Sequence, residues 1–487
     1  MKNLIISLSF LLALLPAAMS QNQPDAEYNL IRRTYKANND GSIDITVRKE
    51  LKLIRNRAIT AYADKGETFI LYNPAFERLT VNESYTVRSD GSKVTTPANA
   101  FINQLPSSCQ DCGRYNHLRE MVVVHTALEY GCTIVLDYTI HRQNPKLYDN
   151  FPTVLDCPVK LFEVVCQQSG DIKFHVTAPD KFKYNEATRT YSASNIAQSV
   201  VDSYLPDRVN NQPFVISTAD GYDALFAFQK ETLPQAASFL SNLYKDDKLQ
   251  YACDIRDHVV DNIRLNNIEP SLAGFRHASA AETWASNCGT AVDKAVLLCA
   301  LFNQVGFDAS VAFEGNDCMV SCVIDGLSYR FSPTRKNKAV MHAAAIPAAI
   351  VTRDTTNLEW TPLSLGDSYY RIALPATQNS HSIKASQLTS MRQQPLKVTP
   401  SEISHRITLT IPDSVNVKML TKEVDYHSTQ AGLWDATITL RRTGNRVEVL
   451  RSLKITTQEI SPKYYKAFRQ MLQKWDTTTE LLFKKQW

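Results

Sequence analysis

The sequence predicts a multidomain α+β protein: a β-rich segment, a central α/β segment, and a second β-rich segment closed by a short helix. Three observations predict it. At about 150 residues per domain, 487 residues call for roughly three domains. The two outer thirds are dense in β-branched residues and Asp-Gly or Gly-Asn turns. The middle carries helical periodicity with a cap at its start. The expected division is a leader at 1–20, an N-terminal β-sandwich at 21–212, a central domain at 213–355 and a C-terminal β domain at 356–487.

Residues 1–20 read as a secretory signal. Lys2 supplies the positive start, Leu4 to Leu15 the apolar core, and Ala18 and Ser20 the small residues of a cleavage site before Gln21. The run is short for a membrane span, and no later apolar run reaches ~18 residues. The protein is expected to be exported, periplasmic or extracellular, where disulfides are permitted.

In the N-terminal segment, Asp40-Gly41 and Asp90-Gly91 are hairpin turns. Around them, Ile43–Val47, Tyr85–Arg88, Met121–Val124, Thr133–Ile140, Phe162–Val165 and Ile172–Thr177 read as strands. These short strands with regular turns predict a sandwich. In the centre, Ala224–Tyr244 and Asp254–Asn266 read as helices. A stronger helix follows. Thr290 caps it, Asp293 completes a capping box, and Ala291, Ala295, Leu298, Phe302 and Val305 form one apolar face. Gly306 stops it. Ser310–Phe313 is a strand, and Met319–Ile324 with Ser328–Phe331 is a hairpin about Asp325-Gly326. At the C-terminus, Arg406–Ile411, Ala436–Leu440 and Arg446–Ile455 are strands. Ser461-Pro462 opens a helix whose Tyr464, Tyr465, Phe468, Met471, Leu472 and Trp475 read as core.

Composition excludes several classes. Hydrophobic residues make up 44%, so disorder is excluded. A net charge of +4 is too weak to predict nucleic-acid binding. Only 15 Gly argue against Gly-rich phosphate loops. Ten Cys are too sparse for a disulfide scaffold. Cys109-Gln110-Asp111-Cys112 has CxxC spacing but no second CxxC, and reads as a loop staple or thiols. His117 and His125, with Asp111 and Glu129, are too loosely spaced for a metal site. No cofactor and no metal are expected.

The centre carries two informative stretches: Gly289-Thr290-Ala291-Val292-Asp293-Lys294-Ala295-Val296-Leu297-Leu298, and Ile324-Asp325-Gly326-Leu327-Ser328-Tyr329-Arg330-Phe331-Ser332-Pro333-Thr334. Their order and distance resemble the transglutaminase-like superfamily, which has the papain-like cysteine protease fold. The N-terminal segment resembles the β-rich domain of unknown function that precedes such domains in secreted bacterial proteins. Gly66-Glu67-Thr68-Phe69-Ile70, Thr96-Pro97-Ala98-Asn99-Ala100 and Tyr115-Asn116-His117-Leu118 carry that likeness. The C-terminal segment, ending in Pro462-Lys463-Tyr464-Tyr465, resembles the small β domain that closes them.

The resemblance implies a Cys–His–Asp triad. A thiolate at a helix N-terminus gains from the dipole, a His takes its proton, and an acid orients the His. The matching positions here are Ala291, Asp317 and Ser332, and no His occurs between His277 and His342. The expectation is therefore a non-catalytic protein that binds a peptide, protein or cell-envelope ligand in the old cleft. A rival is a cysteine peptidase or amide transferase using Cys288 with His277 as base. A third reading is an interaction scaffold with an occluded cleft. The run Arg335-Lys336-Asn337-Lys338 reads as a solvated loop, or as a contact for an anion at the cleft mouth.

Overall fold

Eight strands form the largest layer. In spatial order they are Lys183–Asn185, Thr190–Ile196, Val159–Gln167, Ala26–Ala37, Ile43–Leu53, Thr133–Arg142, Glu77–Val87 and Lys93–Thr95. The structure, a computed structural model, describes residues 24–65, 69–109, 113–243, 245–336, 340–341, 350–375, 383, 385–476 and 480–486. The leader, Gly66–Thr68, Cys112, Asn337-Lys338 and His342 lie outside them.

One face of the large sheet is mainly apolar by alternation, with Lys49 standing between Val47 and Leu51. Ile45, Val47 and Leu51 stand opposite Ile140, Tyr138 and Ile134. Two three-stranded sheets cover that face. Tyr148–Pro152, Pro213–Ser217 and His175–Thr177 pack through Phe151 and Phe214, which stack at 5.5 Å. Phe69–Tyr72, Arg119–Val123 and Phe101–Gln104 pack through Ile70 and Val123 against Leu136.

The central helix runs from Ala291 to Gln304 and is buried almost throughout. It packs on helix Lys248–Asn262 and on the hairpin Asp308–Glu314, Asp317–Ile324 and Leu327–Phe331. Asp325 and Gly326 both take positive φ at the hairpin turn, the conformation that turn type requires.

Four expectations change. The boundary at 212/213 falls before the strand Pro213–Ser217, which pairs with strands of the N-terminal segment because Phe214 and Ile216 complete its core. The boundary at 355/356 runs through the strand Ile350–Leu358, which pairs in parallel with Ser401–Thr410. Ala224–Tyr244 is not one helix: among its described residues only Ala237–Ser241 is α-helical. Pro234 lacks the N–H that a continuous helix would need, and Phe226 and Phe228 stack at 5.4 Å from extended chain. Helix Lys248–Asn262 starts earlier than expected, because Asp247 caps it by accepting from Gln250 N–H at 3.0 Å.

The chain divides into two compact units, Met1–Ser199 with Asn211–Ala343, and Val200–Asn210 with Ala344–Trp487. The second has a five-stranded sheet from Ile350–Leu358 to Val424–Gln430. Helix Pro462–Asp476 covers part of it with Tyr465, Phe468, Met471 and Trp475, all core as expected. A four-stranded sheet covers the rest through Leu481 and Phe483.

Candidate functional site

The Asp-Lys-Ala run at the start of the central helix is structural in all three residues. Thr290 Oγ1 accepts from the Asp293 N–H at 3.2 Å, and Asp293 Oδ2 accepts from the Thr290 N–H at 2.9 Å. Asp293 is wholly buried and takes two further donors: Ala278 N–H at 2.6 Å and the Tyr115 hydroxyl at 2.8 Å. Burial, then the Asp293 charge, pushes the Tyr115 phenol far above its usual range, so it stays a donor. Lys294 Nζ donates to Ile263 O at 2.5 Å and to Val260 O at 3.4 Å, closing the C-terminus of helix Lys248–Asn262. Burial pushes its ammonium down to about 8 against the pull of Asp261. Ala295 is fully buried core.

A cleft of about 770 Å³ opens at this helix start, and Ala291, Asp317 and Ser332 all line it. The three positions read from sequence thus converge, and none supplies a nucleophile or an imidazole. Asp317 is exposed, opposite Glu314 at the mouth of the first hairpin turn. Ser332 is buried, and its Oγ accepts from the Thr334 N–H at 3.3 Å, a local turn rather than an orienting bond. One wall is aromatic: Tyr148 meets Tyr222 edge-on at 4.6 Å, and Tyr222 meets Phe313 at 5.0 Å. Tyr148 also donates to Asn316 Oδ1 at 2.8 Å.

Cys318 is the one cleft-lining thiol among the described residues. Burial, then Asp293 and Asp317, pushes it up to about 12, so it remains protonated at neutral pH. Cys288 and His277 have different described neighbours. Cys288 packs beside Cys109, Tyr115, Leu118 and Ile268. His277 stacks on Phe228 at 5.3 Å, with Nδ1 2.9 Å from Ala278 O and Nε2 3.1 Å from Ala227 O. Both ring nitrogens thus face carbonyl oxygens, and neither is placed to accept a thiol proton. No disulfide joins any two of the nine described cysteines. Among the described residues no group of three His, Cys, Asp or Glu side chains can hold a metal ion.

Sequence reasoning missed the walls that the N-terminal segment supplies, Tyr148 and Asp149, and the strand pair that brings Asn266 beside Ala291. Phe226 and Phe228, close in sequence to Tyr222, lie within the segment Ala224–Tyr244 that the sequence reading gives as helix.

With the site in place, comparison with solved structures is decisive for the fold. The crystal structure of "a putative protease from Parabacteroides distasonis" superimposes with a TM-score of 0.77 at 24% identity, covering 94% of this chain and 99% of that one. The two chains share one fold. Residues 39–202 match DUF3857 and residues 368–481 match DUF3858, both described as domains of unknown function with a solved structure. No curated protein matches. The chain is multidomain and mostly β, with few helices. Among the described residues no helix is long and apolar enough to cross a membrane.

Proposed function

We propose that this chain is an exported, transglutaminase-like protein that binds a peptide, protein or cell-envelope ligand in the cleft around Ala291, Asp317 and Ser332 and leaves it uncleaved. One observation carries the reading. The three positions where the fold would hold a triad meet in a cleft of about 770 Å³, and they hold a methyl group, an exposed carboxylate and a turn-forming hydroxyl. That volume is within the range of sites that bury a small ligand or a few peptide residues. The leader read from Lys2, Leu4–Leu15 and Ala18–Ser20 supports export. The cleft stands open among the described residues, which favours binding over an occluded scaffold. The protonated Cys318, and a His277 ring whose nitrogens both face carbonyl oxygens, favour binding over thiol catalysis.

Retention of a random peptide library by the immobilised full chain, read by mass spectrometry, tests this. The expected result is a subset of peptides retained intact and lost in Ala291→Trp, which fills the cleft. Cleaved or cross-linked peptides that disappear in Cys288→Ala would overturn it. Retention unchanged by Ala291→Trp would place binding elsewhere and overturn it as well.

A further inference from the structure

The strand Arg264–Leu265 runs parallel to Cys288–Gly289, and the Asn266 N–H donates to Gly289 O at 2.8 Å. This places Asn266 in the cleft lining, level with the start of the central helix. Its side chain is only 5% exposed, and its Oδ1 is sealed from solvent without a hydrogen-bond partner. A buried amide oxygen with no donor is costly, and a turn of the side chain that brings it to the cleft surface lets a ligand N–H relieve that cost. A carboxamide holds an acceptor and donors side by side, the complement of a peptide group.

The cleft also has a sign. Glu269, Glu314 and Asp317 are exposed lining carboxylates, and no basic side chain meets them among the described residues. Asp149 is already neutralised by Arg33 at 2.6 Å. Arg335 is the one cationic side chain in the described lining. The second basic residue of that loop, Lys336, is tied to Asp261 at 2.5 Å. A cleft lined mainly by one sign of charge concentrates ligands of the other.

Resting on the binding reading above, we infer that the occupant is a peptide segment carrying Lys or Arg. Asn266 binds one of its backbone amides, and Glu269, Glu314 and Asp317 bind its cationic side chain. Within the described lining the three exposed carboxylates outnumber Arg335, the first residue of the basic run.

Fluorescence anisotropy on the full chain tests it with three end-capped, dye-labelled octapeptides, one rich in Lys and Arg, one neutral and one rich in Glu. Heparin serves as the probe for a polyanionic polymer. The basic peptide should bind about tenfold more tightly than the neutral one, a difference of about 1.4 kcal/mol, and the acidic one should not bind. The triple variant Glu269→Gln, Glu314→Gln, Asp317→Asn should bring the basic peptide down to the neutral level. Asn266→Leu should weaken basic and neutral peptides alike. If that variant does not fold, the triple variant on exposed residues still decides the charge reading, and Asn266→Ser repeats the amide arm. Neutral or acidic peptides binding as well as the basic one, all lost in Ala291→Trp, would overturn this inference and leave the binding reading intact. Heparin binding that depends on Arg335 would overturn it in favour of an anionic polymer. No binding by any probe would overturn both.

Discussion

The phenol of Tyr115 donates a 2.8 Å hydrogen bond to the buried carboxylate of Asp293, 178 residues further along the chain. The acid that caps the central helix is therefore also the point where the N-terminal segment is fastened to it. Three donors meet at this carboxylate, from Thr290, Ala278 and Tyr115, and the Asp293 backbone N–H in turn donates to Thr290 Oγ1. The cleft is built around that fixed point.

Tyr115→Phe removes one bond to a buried charge and leaves the ring in place. It should destabilise the chain by about 1.5–3 kcal/mol, read from urea unfolding. Asp293→Ala orphans several donors at once and should cost more. The two losses should not add, because both delete the same bond. An additive double variant would show that the bond carries no energy of its own.

How far the sequence could be read depended on range. Thr290, Asp293 and the Asp325-Gly326 turn were legible because capping boxes and hairpin turns are encoded within four residues. The Ala291–Asp317–Ser332 convergence was legible through resemblance of two ordered stretches. Tyr148, Tyr115 and Asn266 were not legible as site residues, since only long-range packing brings them to the helix start. The segment Ala224–Tyr244 misled because the apolar spacing of its rings fits a helix, while Pro234 and the Phe226–Phe228 stack break it.

Lys294 gives a signed pH effect. Burial lowers its pKa from 10.5 to about 8, so between these values the unfolded chain holds the extra proton. Folding stability from this group therefore rises with pH across that window and is level below it. Comparing urea midpoints of the native chain and Lys294→Met at pH 7.5, 9 and 10 cancels other groups. The difference should move in favour of the native chain as pH rises. A difference flat with pH would refute the buried-ammonium account.

Gly289 is set by space rather than by backbone conformation. A Cβ there would lie 2.8 Å from Asp293 Cβ and 3.2 Å from Thr283 Cγ2. Both neighbours are held, one by the cap and one by full burial. Gly289→Ala should therefore destabilise by about 1–3 kcal/mol, as overpacking does. It should also weaken peptide binding, since the same shift moves Asn266 through the Asn266 N–H to Gly289 O bond. Unchanged stability in the thermal melt would mean that the helix start yields freely.

Ala291→Cys places a thiol at the position that the proposed transglutaminase-like reading assigns to a nucleophile. The new side chain stands in the first turn after Thr290, half-buried at the cleft, where the helix dipole favours the thiolate. Cys318, in the same cleft, is held near 12 by burial and by two carboxylates. At pH 7.5, iodoacetamide should therefore alkylate the introduced thiol roughly tenfold or more faster than Cys318, located by peptide mass mapping. Alkylation should not bring activity with it, because Asp317 and Ser332 offer no imidazole to take or return a proton. Labelling no faster than Cys318 would show that the helix start no longer activates a thiol. Peptide hydrolysis by the single variant would show that a base still serves this cleft, and the non-catalytic reading would fall.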